Sequence, residues 1–120
     1  MKKTSAHTND PLAADHSSAL IELVQNAEGA IVSRVLAKTN GGSVTLFAFD
    51  AGQSLSEHTA PFDALVQVVD GRLDLVIGGT PVTVGPGEIV RMPADVPHSL
   101  QAPEPSRMLL TMLRDLKQEG

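Results

Sequence analysis

From Ala30 to Leu113 the apolar positions recur in short β-branched runs, each cut off by Gly, Pro, Asn or Asp. That is the pattern of a sheet protein, in which side chains alternate between two faces, rather than of amphipathic helices. It predicts strands over Ile31–Lys38, Val44–Asp50, Ser54–His58, Asp63–Val69, Arg72–Ile77, Pro81–Val84, Glu88–Met92, His98–Ala102 and Met108–Leu113. Asn40-Gly41-Gly42 and Gly78-Gly79 mark hairpin turns, because these residues accept positive φ. Asp70-Gly71, taken as a two-residue turn, sets Val69 opposite Arg72, Val68 opposite Leu73, Val66 opposite Leu75 and Ala64 opposite Ile77. One face of that hairpin is then Ala64, Val66, Val68, Leu73, Leu75 and Ile77, wholly apolar. The other mixes Leu65, Val69 and Val76 with Asp63, Gln67, Arg72 and Asp74, which suits a subunit interface or a second sheet packed over it.

Ahead of this region, residues 1–19 are polar, broken by Pro11 and without period, and are expected to form a flexible tail in which His7 and His16 are solvated. A folded domain is expected over 20–115, with a short charged tail over 116–120. At 120 residues the chain has room for one domain and one core. The net charge of −5, with no Lys/Arg cluster, argues against nucleic acid or an anionic membrane as a partner. The absence of Cys removes disulfides, thiolate ligands and cysteine nucleophiles. The basic start Met1-Lys2-Lys3 is followed by no apolar h-region, and no run is long enough to span a bilayer, so a cytoplasmic protein is expected.

Two segments carry the candidate chemistry. The first runs from Gly52 through Glu57-His58-Thr59-Ala60-Pro61-Phe62-Asp63-Ala64 to Gly71; the second runs from Gly87 through Met92-Pro93-Ala94-Asp95-Val96-Pro97 to His98. Together they resemble the two signature motifs of the cupin superfamily. Gly52, His58 and Gly71 match the first motif, while its second His and its Glu fall on Ala60 and Ala64. Gly87, Pro93 and His98 match the second, with Asp95 in place of its Gly and Ala102 in place of its Asn. The resemblance covers about Ala30 to Leu113 and implies an all-β fold, a double-stranded β-helix or jelly-roll-like barrel. The stretch Glu57–Val66 is also similar to small bacterial cupins of unassigned function, which implies a homodimer.

In that family the motif histidines point into the barrel and bind a divalent metal, so the resemblance implies His58 and His98 as ligands of Zn, Ni, Fe or Mn. Imidazole suits these metals, but a catalytic site usually needs about three protein ligands and an open position. Ala60 and Ala64 supply none. Asp63 and Glu57 each sit one residue from the required face, where the two-residue period turns them away unless a bulge intervenes. Ser54 and Ser56 share the face of His58, and the pocket is expected to be lined by Ser56, Ala60, Ala64 and Val66. Met92, Met108 and Met112 read as core filler, and Pro93 and Pro97 as the rigid turn that aims His98 inward. Gly85-Pro86-Gly87 is a turn and not a phosphate loop. Two functions follow. One is a small-molecule binder with an apolar pocket and two histidines as polar handles; the other is a metal-dependent enzyme of dioxygenase or isomerase type using His58 and His98.

Overall fold

The computed structural model describes residues 7–8 and 11–115, so the expected C-terminal tail and much of the first ten residues lie outside the described residues. Among the described residues ten strands run in chain order: β1 (His7–Thr8), β2 (Ile31–Thr39), β3 (Gly42–Phe49), β4 (Ser54–His58), β5 (Asp63–Asp70), β6 (Leu73–Ile77), β7 (Thr80–Val84), β8 (Ile89–Met92), β9 (His98–Gln101) and β10 (Ser106–Leu113). A 3-10 turn at Leu20–Glu22 precedes β2. Six strands form one sheet in the order β1-β2-β3-β10-β5-β8, and four form a second in the order β4-β9-β6-β7. No helix among the described residues is long and apolar enough to cross a membrane.

The main core lies between the sheets. Phe49, Val66, Val68 and Met108 come from the larger sheet and Leu73, Leu75, Val84 and Leu100 from the smaller one, all buried in a single cluster. Strand alternation sends the intervening residues to the outer face. On the larger sheet that face is apolar too: Val32, Leu36, Leu46 and Ala48 form a second buried cluster with Val24, packed by Leu20, Leu23, Val69 and Leu109. The segment after the 3-10 turn therefore lies across the sheet as a strap. Two arginines fasten it, Arg107 Nε donating to the Val24 carbonyl at 3.0 Å and Arg34 Nη1 to that of Leu23 at 3.4 Å. Arg107 also pairs with Asp70 at 2.7 Å and is only 14% exposed in its side chain. Farther upstream, β1 pairs in parallel with β2, and the Leu12 N–H donates to the Leu36 carbonyl at 2.9 Å.

The hairpins predicted at Asn40–Gly42 and Gly78–Gly79 form, joining β2 to β3 and β6 to β7. The one predicted at Asp70-Gly71 does not. β5 pairs with β10 and β8, whereas β6 pairs with β7 and β9, so the chain leaves one sheet and enters the other at this corner. The physical reason is local. Gly71 has φ +82°, and a Cβ there would run into the Ser106 hydroxyl and the Pro105 carbonyl. Ser106, fully buried, accepts the Arg72 N–H at 2.9 Å and lies 3.0 and 2.8 Å from the Arg72 and Glu104 carbonyls. The corner is thus pinned to the start of β10. Ala64, Val66, Val68, Leu73 and Leu75 are all buried inward as the alternation requires, but on two facing sheets instead of two paired strands. Leu65 and Val69 consequently lie on the outside of one sheet and Val76 on the outside of the other, so the three form no common contact surface.

Candidate functional site

His58 ends β4 and His98 begins β9, and the two are direct partners across the smaller sheet. His98 is 7% exposed, while His58 is an exposed residue at the mouth. The loop that delivers His98 is tied on three sides. The Ala94 N–H donates to Asp63 Oδ1 at 2.9 Å, the Asp95 N–H to the Ala60 carbonyl at 2.7 Å, and the Gly78 N–H to the Pro97 carbonyl at 2.8 Å. Asp95 adopts φ +64°, the left-handed conformation, where a short polar side chain is tolerated better than most. Asp63, one residue from the vacant carboxylate position, is committed to this loop and to Arg91 at 3.1 Å, facing away from the pocket. Glu57 is exposed.

The two imidazoles meet edge to face, with ring centroids 4.4 Å apart and an interplanar angle of 71°. Their Nε2 atoms are 3.2 Å apart. Each Nδ1 lies against a carbonyl of its own strand, His58 to Ser56 at 2.9 Å and His98 to Val96 at 3.1 Å. A carbonyl oxygen only accepts, so each Nδ1 carries the proton, and in the neutral ring Nε2 is left as an acceptor. At 3.2 Å the two Nε2 atoms stand within hydrogen-bond distance of each other, and a proton, a ligand donor or a cation can bridge them.

They open into a cavity of about 60 Å³. Ala60 and Ala64 line it together with both histidines, so the two vacant motif positions do face the same space. Leu55, Leu100 and Leu110 supply aliphatic walls and Met92 and Met108 thioether walls. Two expected lining residues lie elsewhere. Val66 is fully buried in the core behind the pocket. Ser56 is exposed, because the β4–β9 register slips between Leu55 and His58 and turns Leu55, not Ser56, onto the face of His58. The methionines were legible only as filler: no spacing rule marks a buried Met as part of a cavity wall. Among the described residues no group of three or more His, Asp or Glu converges in a metal-binding arrangement.

A family model described as "Cupin domain" matches residues 45–113. Among solved structures, the chain is similar to a conserved protein of unknown function from Streptococcus pyogenes, with 27% identity and a TM-score of 0.85 over 92% of this chain and 96% of that one. It is also similar to a Cupin 2 conserved barrel domain protein from Leptotrichia buccalis, with 38% identity and a TM-score of 0.75 over 78% of this chain and 45% of that one. KdgF from a Halomonas species matches at 25% identity and a TM-score of 0.67, covering 77% of this chain and 86% of that one. No curated protein matches the chain.

Proposed function

The chain belongs to the cupin family, and from that membership and its converging imidazoles we propose that it is a small-molecule-binding protein whose ligand enters with a hydrogen-bond donor between His58 and His98. The observation that carries this reading is the pair of Nε2 atoms, 3.2 Å apart, in a cavity whose other lining residues are apolar save Ser99. Size narrows the ligand. Ligand pockets commonly hold about 300–1,000 Å³, and the space here is much smaller, about 60 Å³. Only the tip of a molecule, or an ion, is taken up; the rest of an organic ligand lies across the mouth beside His58.

Cupins often bind metals, and the donor set present here falls short of a firm divalent site. Two imidazoles converge, Ala60 and Ala64 contribute nothing, and Asp63 is turned away and already bonded. The reading as a metal-dependent dioxygenase or isomerase, which requires a tightly held ion with open positions, therefore has the weaker support.

The test uses propan-1-ol as a donor probe and propionate, which only accepts at neutral pH, as its control. With the ring resonances of His58 and His98 followed by NMR, propanol should shift both and propionate neither, and His98→Ala should abolish the response. Propanol that leaves both rings unmoved up to high millimolar concentration would sink the proposal.

A further inference from the structure

The methionines of this chain are not scattered. Of the 4, Met1 lies outside the described residues and the other three pack on the inward core. Met92 and Met108 line the cavity itself, and Met112 packs against the same core. Their placement follows the sheet register: Ala64, the position vacated by the motif carboxylate, is the direct partner of Met92 on β8 and of Met112 on β10. Directly opposed side chains on one face have Cβ atoms about 4.5–5.5 Å apart. Where the family pattern places a hard oxygen donor, this barrel therefore sets a methyl group between two thioethers.

We propose that the cavity is a soft-metal site, in which His58 and His98 Nε2 and a thioether of Met92 or Met108 bind a monovalent thiophilic cation of the Cu(I) type. The inference rests on the reading of the two Nε2 atoms as a convergent acceptor pair and names the cation they serve. Three observations lead to it. First, the donor set is imidazole and thioether with no carboxylate, and thioethers select Cu(I) over hard divalent ions. Second, metal–imidazole bonds of about 2.0–2.1 Å spanning the 3.2 Å between the Nε2 atoms enclose an angle near 100°. That is far from the linear geometry in which two ligands suffice for Cu(I), so a third donor is required on the cavity side, where Met92 and Met108 stand. Third, both methionines are already buried, at 5% and 1% exposure, and line a small cavity, so little side-chain ordering remains to oppose binding.

The experiment is an anaerobic titration of untagged protein with Cu(I) held by the chromophoric competitor bicinchoninate, joined to X-ray absorption at the copper edge. The parent should withdraw one Cu(I) per chain, with sulfur in the first shell and shifts in both histidine ring resonances. Met92→Leu/Met108→Leu, swaps that nearly conserve volume, should weaken Cu(I) at least tenfold and leave Zn(II) binding unchanged. Full Cu(I) affinity in the folded double variant, or a first shell of nitrogen and oxygen only in the parent, overturns the thioether assignment. The parent spectrum decides the matter even if the variant does not fold. Failure to take up Cu(I) by protein that still answers to propanol overturns the soft-metal inference alone. If neither Cu(I) nor propanol moves the histidine rings, the pocket reading falls with it.

Discussion

Restoring the two vacant motif positions, Ala60→His with Ala64→Glu, should turn the half-built site into a metal-dependent element of stability. Both alanines line the same cavity as the two histidines, so the added groups would bring the donors to three imidazoles and a carboxylate. Without metal the change is unfavourable. Ala64 is 4% exposed and flanked by Met92 and Met112, apolar surroundings for a carboxylate. Leaving a buried charge uncompensated costs about 3–5 kcal/mol. For a domain of this size 1 kcal/mol moves Tm by roughly 3–5 °C, so the apoprotein should melt some 10–20 °C below the parent. Zinc at about 1,000 times its Kd returns roughly 4 kcal/mol, enough to recover most of that loss. The chain contains no Trp or Tyr, so the melts are best followed by far-ultraviolet circular dichroism or calorimetry, with affinity from titration calorimetry. A folded double variant that binds zinc no more tightly than the parent, or an apoprotein as stable as the parent, would refute the placement of these residues.

Other changes probe the frame around the site. Ser106→Ala should cost about 0.5–1.5 kcal/mol in denaturant unfolding, because it removes the buried hydroxyl that accepts the Arg72 N–H. Gly71→Ala should cost more than that, adding about 1–2 kcal/mol of left-handed strain to a collision with the Pro105 carbonyl; equal stability of Gly71→Ala and parent would mean that the corner is not where we place it. Asp95→Gly relieves the positive φ before His98 but frees the unfolded chain, and should raise the urea midpoint by the equivalent of about 0.5 kcal/mol. A drop in the midpoint would show that the Asp95 side chain contributes something its backbone geometry does not reveal.

What could be read from the residues depended on whether the determining contacts were local. Asn40–Gly42 and Gly78–Gly79 announce their hairpins because turn chemistry is a property of adjacent residues. The inward set from Ala64 to Leu75 was equally plain, since alternation specifies a face. It does not specify a partner, and Asp70-Gly71 reads alike as a hairpin turn and as a corner between sheets. Only Ser106, 34 residues on from Arg72, decides between them. At the site, the motif spacing brought His58, His98, Ala60 and Ala64 to one cavity. The slip between Leu55 and His58 was hidden, because the polar run Ser54 to Glu57 carries no packing signal to betray it. The outer cluster beneath the strap was hidden for a related reason: Leu20 to Val24 is too short to show a period, and its partners Leu36 and Leu46 lie on strands already accounted for by the inner core.

β10 has a further consequence, for the order in which the molecule comes together. It is the last described strand, yet it sits between β3 and β5 at the centre of the larger sheet, and it carries both Ser106 at the corner and Arg107 on the strap. Until residues 106–113 are available, β3 and β5 have no shared neighbour, and the larger sheet stays in two pieces, β1-β2-β3 and β5-β8. Such long-range pairing folds slowly and leaves apolar edges open in the meantime. During synthesis the larger sheet must therefore wait for this eight-residue strand, and then the sheet, the corner and the strap are fastened by a single segment.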